Sequence, residues 1–215
     1  MFQGFTPETV DFLWGIRLNN NREWFMQNKK QYVKELYEPM KALGAALFQP
    51  FVDKPGELLK VSRIYRDARM HHPLPYKESL WICIRQDVEW WAENPCLFFE
   101  INPEGVDYGF FIWQPRVAVL KEFHRDIAAR PEPFLKMIEK VEKDTGMTIT
   151  AENYKRPEKT DDSRLERFFA WKKAIGCIRH EDFGPNTFTP ELASRVSGFF
   201  DQLIPLYDYF NKFKV

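Results

Sequence analysis

The residues best suited to chemistry in this sequence lie in one short segment, from Lys60 to Lys77. It carries five basic side chains and a single acid, so it is locally positive in a chain whose 31 basic and 31 acidic residues balance. The basic residues are Lys60, Arg63, Arg66, Arg69 and Lys77, and the acid is Asp67. Planar guanidinium groups hold carboxylates and phosphates through paired hydrogen bonds, so the segment predicts an anion-binding site.

The three-residue spacing of the arginines limits how they can meet. Successive side chains of a strand point to opposite faces, so Arg63 and Arg69 would share one face and Arg66 would take the other. A bulge or a loop near Asp67 would let them converge, and the two prolines that follow favour a loop. We therefore predict one ligand-binding set drawn from this segment: Arg63, Arg66, Asp67, Arg69, Tyr76 and Lys77.

The predicted ligand is a small anion, namely a phosphate, a nucleotide or a carboxylate. Asp67 would orient a guanidinium or act as a base, and the rings of Tyr65 and Tyr76 would stack on the ligand or hydrogen-bond to it. No nucleophile accompanies these residues, so the sequence assigns no catalytic residue and leaves open whether the protein is an enzyme. For an enzyme, phosphoryl or acyl transfer would best suit fixed cations.

Two other readings of the same segment stay open. In one, the protein is a non-enzymatic interaction domain whose basic and aromatic side chains contact a protein partner or single-stranded nucleic acid. In the other, the segment is purely structural: Arg66 and Asp67 pair with other charges, while Arg63 and Arg69 are solvated ends of a strand. Steep salt dependence of oligonucleotide binding would favour the interaction domain. A change in melting temperature alone for Arg66→Ala would favour the structural reading.

Other signatures of chemistry are missing from the sequence. His71 and His72 are adjacent, so their side chains would diverge, and there is no HxH, HxxxH or HExxH spacing. We therefore predict no metal site and no cofactor, and the role of these two histidines stays open. GxSxG, GxGxxG and GxxxxGK[ST] are absent as well. His124 is interpreted as a surface or hinge residue of a helix.

Composition bounds the class of protein. A chain of 215 residues with 44% hydrophobic and 16% aromatic residues can bury a sizeable core, and we predict one domain over residues 1–215. Its zero net charge argues against a duplex nucleic acid partner. Three widely spaced cysteines indicate reduced thiols. With no signal peptide or membrane-spanning run, we expect a cytoplasmic protein without membrane contact. The sequence indicates no oligomeric state.

Helix-start signals stand near both ends of the chain. Thr6-Pro7-Glu8 predicts the first helix, and Thr189-Pro190-Glu191 predicts the last one. A second helix is predicted to begin after Asn21, with either a kink or two abutting helices at Pro39. The buried face of the first helix is predicted to hold Val10, Leu13, Trp14 and Leu18.

Predicted strands cluster in the middle of the chain, over residues 80–85, 97–102 and 108–113. Turn residues at 102–105 make the last two an antiparallel hairpin. Helices follow at Pro115 and Pro133, and residues 165–175 are predicted as another helix. Trp90-Trp91 would be a ligand platform in a loop, but burial of at least one ring is favoured. These elements predict an α+β fold, a central antiparallel sheet with helices packed around it.

Three strings of the sequence resemble a known family. They are Asn20-Asn21-Arg22-Glu23-Trp24-Phe25, Ser62-Arg63-Ile64-Tyr65-Arg66-Asp67-Ala68-Arg69 and Pro75-Tyr76-Lys77. Through these strings the chain is similar to conserved hypothetical proteins of bacteria and fungi that are grouped as a domain of unknown function. The resemblance spans nearly the whole chain and extends to a stretch from Gly109 to Pro115 with Trp113, to Arg125, and to the loop Lys155-Arg156-Pro157.

This resemblance indicates relatives without implying an activity. Its most distinctive string overlaps the predicted ligand-binding set, which favours a site there. The sequence departs from the family pattern between Met70 and Leu74, where members usually carry a polar loop with lysines. If the family site uses those lysines, this chain has lost them.

Overall fold

Helices lie toward both ends of the chain and most strands lie between them, in a computed structural model that describes residues 1–67 and 73–213. The helices are α1 (Pro7–Leu18), α2 (Arg22–Gln31), α3 (Glu38–Phe48), α4 (Val117–Ala129), α5 (Pro131–Thr145), α6 (Glu166–Phe169) and α7 (Glu191–Asn211). The strands are β1 (Glu57–Val61), β2 (Leu80–Gln86), β3 (Cys96–Ile101), β4 (Gly105–Ile112), β5 (Thr150–Asn153) and β6 (Trp171–Asp182). The fold is α+β with an antiparallel sheet, which confirms the predicted fold class.

The sheet has the strand order β1-β2-β3-β4-β6-β5. β3 and β4 form the predicted hairpin, in which the N–H of Asn102 donates to the carbonyl of Gly105 at 3.0 Å. The side-chain oxygen of Asn102 also accepts from the N–H groups of Glu104 and Gly105, which explains an asparagine at this turn. At the other end of the order, β5 pairs antiparallel with β6, with Thr150 opposite Gly176.

The helix predicted over residues 165–175 is wrong for most of its length. α6 ends at Phe169, and Trp171 begins β6, a strand of twelve residues. Lysine and alanine at 172–174 have good helix propensity, which misleads a local reading. Within the sheet β6 has β4 on one side and β5 on the other, so strand pairing overrides that propensity.

α1 begins where the sequence predicts, but its buried face is rotated. Thr6 precedes the helix in extended conformation, and its N–H donates to the hydroxyl of Thr9 at 3.1 Å. Trp14 and Leu18, predicted to be buried, are 43% and 76% exposed. The buried residues are Thr9, Phe12, Leu13 and Ile16.

The irregularity predicted at Pro39 is a π-helical turn. Residues Tyr32–Tyr37 form that turn between α2 and α3, and the N–H of Glu38 bonds to the carbonyl of Val33, five residues earlier. A proline within a helix lacks an N–H and crowds the preceding turn, and the wider turn lies directly before Pro39. The helical run from Arg22 to Phe48 therefore continues through the proline.

The chain divides into two compact units. The first comprises Met1–Ile84, Phe98–Tyr108 and Arg179–Gly198, and the second comprises Arg85–Leu97, Gly109–Ile178 and Phe199–Val215. Strands β2, β3, β4 and β6 contribute residues to both. The single domain over residues 1–215 stays a prediction.

The first unit is built around aromatic packing between the N-terminal helices and the sheet. Phe5 stacks on Phe99 of β3, with ring centroids 6.1 Å apart. Gly44 lets α3 approach the sheet closely, because a Cβ there would lie 3.3 Å from Val61 and 3.6 Å from Ile82. These contacts hold β1, β2 and β3 against the helices.

Phe123 of α4 lies at the centre of the second unit. Its buried ring packs against those of Phe134, Trp171, Tyr209, Phe210 and Phe213, and against the adjacent His124. His124 beside it is only 7% exposed, so its interpretation as a surface or hinge residue is wrong. The burial favoured for Trp90-Trp91 is wrong as well, since the two residues are 58% and 45% exposed.

Among the helices of residues 1–67 and 73–213, none has both the length and the apolar character needed to cross a bilayer.

Candidate functional site

Two extended segments on either side of residues 68–72 frame the candidate site. Tyr65 and Tyr76 form an antiparallel bridge. The N–H of Arg66 donates to the carbonyl of Pro75 at 2.9 Å, and the N–H of Lys77 donates to the carbonyl of Ile64 at 2.7 Å. This pairing brings Arg66 close to Lys77 in space.

The side chain of Asn20 clamps the backbone of Tyr76. Its Nδ2 donates to the carbonyl of Tyr76, and its Oδ1 accepts from the N–H of the same residue, both at 3.0 Å. The side-chain amide of Asn20 thus satisfies both backbone hydrogen-bonding groups of Tyr76, as a neighbouring strand would. The adjacent Asn21 caps α2 by accepting from the N–H of Trp24 at 2.9 Å.

The ring of Tyr76 is part of the hydrophobic core. It is 4% exposed and stacks on Phe25, with ring centroids 4.3 Å apart. Tyr65, by contrast, is 52% exposed. Burial raises the pKa of Tyr76, and the neighbouring Tyr65 adds to the rise, so this phenol stays neutral. Tyr76 therefore anchors the segment through its ring and its backbone.

Arg66 uses one of its donors for structure. Its Nε donates to the carbonyl of Tyr76 at 2.6 Å, so that carbonyl accepts from both Arg66 and Asn20. This bond fixes the direction of the guanidinium. Arg66 lines a cleft of about 770 Å³ in the first unit.

The cleft is lined by charges of both signs. Its cations are Arg17, Arg66 and Lys77, and its carboxylates are Asp67, Glu78, Glu100 and Glu104. Tyr65, Ser79, Trp81 and Asn102 complete the lining. The Nζ of Lys77 lies 5.4 Å from the centroid of the Trp81 ring, within range of a cation–π contact.

Three of the six predicted ligand-binding residues lie in this cleft: Arg66, Asp67 and Lys77. Tyr76 supports it from the core. Arg63 is exposed and does not line the cleft. Arg69, together with His71 and His72, lies outside the described residues.

Arg17, Glu78, Glu100 and Glu104 belong to the cleft but were not predicted from the sequence. Arg17 lies in the last turn of α1, and its Nε donates to Glu78 at 2.8 Å. Its terminal nitrogens pair with both carboxylate oxygens of Glu104. The hydrogen bond with Glu104 is the largest of the effects that raise the pKa of Arg17. Its sequence position, 49 residues before Arg66, gave no signal of this arrangement.

Arg66 and Lys77 differ from Arg17 in their ion pairing. Within residues 1–67 and 73–213, neither has a carboxylate oxygen within 4.0 Å. Burial lowers the pKa of Lys77, and the positive charge of Arg66 lowers it further. The two cations therefore repel each other in a partly desolvated place, which is the electrostatic setting that attracts an anion.

Glu100 faces the same cleft from β3 with its proton held more firmly than usual. Burial raises the pKa of Glu100; a hydrogen bond from Ser79 opposes the rise, Asp107 adds to it, and Lys77 opposes it. A carboxyl group that protonates readily can donate a hydrogen bond to an anion instead of repelling it. The cleft therefore combines the cations Arg66 and Lys77 with a carboxyl group whose pKa is raised.

No three His, Cys, Asp or Glu side chains cluster as metal ligands within the residues that the structure describes. None of the curated proteins compared with this chain matches its sequence. Residues 8–209 match the model of a family described as "Conserved hypothetical protein (DUF2461)". The chain belongs to this family. The resemblance noted from the three sequence strings is confirmed, since the match covers all of them.

The structure gives each family string a physical role. Asn20, Asn21 and Phe25 of the first string clamp Tyr76, cap α2 and stack under Tyr76. The second and third strings pair with each other through the bridge between Tyr65 and Tyr76. All three strings therefore build one support, from which Arg66 and Lys77 reach the cleft.

Proposed function

We propose that the protein binds a small ligand carrying a phosphate or carboxylate group, held in the cleft between Arg66 and Lys77. The observation that carries the proposal is the pair of half-buried cations lining the same cleft, neither with a carboxylate partner among the described residues. Unpaired charge in a partly desolvated position is costly, and a bound anion removes that cost.

Arg66 suits this role because folding already fixes its orientation. The bond from its Nε to the Tyr76 carbonyl leaves the two terminal amino groups to hold two oxygens of one ligand. Preorganised donors lose less conformational entropy on binding than a free arginine would. Lys77 adds a mobile point charge with three donors.

Binding can be measured by isothermal titration with phosphate, citrate and AMP on the wild-type protein. We expect Lys77→Met and Arg66→Lys each to weaken the best of these ligands by about tenfold or more, as loss of a charge-assisted hydrogen bond predicts. Arg63→Met is the matched control, because it removes an exposed cation of the same segment that does not line the cleft. Equal weakening by Arg63→Met would contradict the proposal.

Single-stranded oligonucleotides distinguish the interaction-domain alternative. Tyr65 is 52% exposed beside the cleft, so it supplies a ring on which a base can stack. Under that alternative, an oligonucleotide binds far more tightly than AMP, with steep salt dependence, and Tyr65→Ala removes the difference. Under the proposal, AMP and phosphate bind saturably and the oligonucleotide gains little. If no anion binds and Arg66→Ala only lowers Tm, the segment is structural.

A further inference from the structure

A second, smaller pocket lies in the other compact unit and shares no residue with the cleft. Its volume is about 240 Å³, and α4 forms one wall with Val117, Leu120, Lys121 and His124. The loop that begins at Tyr154 forms the other side. Arg156, from the Lys155-Arg156-Pro157 string shared with the family, lines this pocket.

The imidazole of His124 is fixed at the base of the pocket. It is 93% buried, from an exposed fraction of 7%, and it stacks on Phe169 with ring centroids 4.4 Å apart. Its Nε2 lies 3.2 Å from the carbonyl of Phe168. Because a carbonyl can only accept, this contact assigns the proton to Nε2 and leaves Nδ1 with a free lone pair.

Nδ1 of His124 and a carboxylate oxygen of Glu158 face each other at 3.8 Å. Both atoms are acceptors in the neutral tautomer, and their separation exceeds a hydrogen bond. Burial lowers the pKa of His124 despite its contacts with Phe168 and Glu158, so a proton on Nδ1 does not join the two atoms at neutral pH. Two acceptor atoms 3.8 Å apart suit a ligand group that donates hydrogen bonds.

The other residues that line the pocket limit which kind of ligand can carry the hydrogen-bond donor. Lys121 and Arg156 bring two positive charges to the pocket, which oppose a metal cation and favour a carboxylate on the ligand. Val117, Leu120 and Phe169 present apolar surface for a hydrocarbon portion. The donor and the carboxylate must therefore stand close together on a small, partly apolar molecule.

We propose that this pocket binds a small α-hydroxy or α-amino carboxylate. An ammonium group donates to both Nδ1 of His124 and Glu158, whereas a hydroxyl, with its single proton, donates to one of the two. The carboxylate meets Lys121 and Arg156, and the apolar substituent lies against Val117 and Leu120. This site is independent of the anion cleft and stands if the cleft proposal fails.

Mandelate, phenylglycine and phenylacetate test this proposal, because they share a ring and a carboxylate and differ only in the donor. Binding is followed through the ring proton signals of His124 by NMR, at ligand concentrations up to about 10 mM, where millimolar affinities are measurable. We expect mandelate or phenylglycine to bind at least about tenfold more tightly than phenylacetate, because sites that hydrogen-bond a group reject the analogue lacking it. Comparing mandelate with phenylglycine distinguishes the hydroxyl from the ammonium.

Variants locate the two halves of the interaction. Glu158→Gln, at an exposed position, should reduce the preference for the donor-bearing ligand, because an amide oxygen accepts more weakly than a carboxylate, whereas Lys121→Met should weaken all three ligands together. Glu139→Gln is the matched control on α5, exposed and outside the pocket, and should change neither. Three results would overturn the proposal: no shift of the His124 signals, equal affinity for mandelate, phenylglycine and phenylacetate, or a His124 ring that is protonated at pH 7 in the free protein.

Discussion

The hydroxyl of Thr9 donates a 2.6 Å hydrogen bond to the backbone carbonyl of Glu35. Four residues after Glu35 stands Pro39, which has no N–H to donate to this carbonyl. Thr9 is fully buried and belongs to α1, and its hydrogen bond therefore ties α1 to the π-helical turn. The same oxygen of Thr9 accepts from the N–H of Thr6.

Replacing Thr9 by valine should destabilise the fold markedly. The change keeps the side-chain shape but leaves the Glu35 carbonyl and the Thr6 N–H without their buried partner, at a cost of about 1–3 kcal/mol. Urea denaturation measures this loss, and Thr148→Val, at an exposed threonine, is the control. In a Pro39→Ala background, where an N–H is available to Glu35, the cost of Thr9→Val should be smaller. An equal cost in both backgrounds would contradict this role.

Asn20→Asp should weaken the support of the cleft. The substitution is nearly isosteric, but it removes the donor to the Tyr76 carbonyl and puts a carboxylate oxygen beside it. We expect about 1–3 kcal/mol of destabilisation and weaker phosphate or carboxylate binding, because the same carbonyl orients Arg66. Chemical denaturation and calorimetric titration measure the two effects. Asn153→Asp, at an exposed position of β5, should leave both unchanged.

Local signals in the sequence predicted much of this framework. Pro7 opens α1 as predicted, α5 begins two residues before the predicted Pro133, and Asn102 closes the predicted hairpin, each through chemistry within a few residues. The fold class follows from such elements. The strand at residues 171–175 does not follow from local signals, because β6 is determined by pairing with β4 and β5 from elsewhere in the chain.

The site was predictable to the extent that it is local. The segment supplies Arg66, Asp67 and Lys77 to one cleft, whereas Arg63 lies outside it. Its carboxylates on β3 and in the hairpin turn are brought in by the sheet, and Arg17 comes from α1. No spacing in the sequence records these long-range neighbours, so the mixed charge of the cleft could only be seen in the structure.

Anion binding in the cleft should weaken as pH rises, and this weakening should begin at a lower pH than for a site with an ordinary lysine. Burial and the charge of Arg66 lower the pKa of Lys77, so this side chain loses its proton at a lower pH than a free lysine. A bound anion favours the charged form and raises that pKa, so affinity is full below the pKa of free Lys77 and falls above it. Lys77→Arg keeps the charge at every accessible pH.

Titrations of phosphate binding across alkaline pH, at constant ionic strength, would reveal this dependence. The wild-type affinity should fall with pH, and the Lys77→Arg affinity should stay nearly level over the same range. A parallel fall in both proteins would assign the pH dependence to another group.

Acid should remove a specific contribution to stability at Asp126. Burial pushes the pKa of this carboxyl up, but hydrogen bonds from Lys212, Arg130 and Tyr209 outweigh burial and bring it to about 2. Because the folded pKa lies below the unfolded one, the contribution is present above the unfolded value and is lost as pH falls through about 2. Its size at neutral pH is about 2 kcal/mol, since one unit of pKa corresponds to about 1.4 kcal/mol.

Asp126→Asn should lower the free energy of unfolding at pH 7 by about 2 kcal/mol. Near pH 2, the free energies of unfolding of the variant and the wild type should differ less. Asp201→Asn is the control, because it makes the same change of charge at an exposed position of α7. Denaturant unfolding at several pH values measures both variants. A difference between wild type and Asp126→Asn that does not change with pH would contradict the assignment.

Two glycines should respond in opposite directions to the same substitution. Gly109 in β4 has a φ of +154°, and a Cβ there would lie 2.0 Å from the carbonyl oxygen of Cys177. Gly198 in α7 has nothing within 4 Å of the corresponding position. Gly109→Ala should therefore force β4 and β6 apart and destabilise the protein by several kcal/mol, about the upper range for single substitutions. Gly198→Ala should stabilise it by about 0.5–1 kcal/mol through helix propensity.

The comparison of Gly109 with Gly198 also gives a physical reason for the glycine that opens the Gly109 to Pro115 stretch. The close approach of β6 leaves no room for a side chain, so the requirement is steric and does not depend on a ligand. Thermal denaturation of both variants, with phosphate binding measured alongside, separates these effects. Gly109→Ala should lower Tm, and Gly198→Ala should raise it while leaving the affinity for phosphate unchanged. A Gly109→Ala protein as stable as wild type would show that the two strands can move apart at little cost.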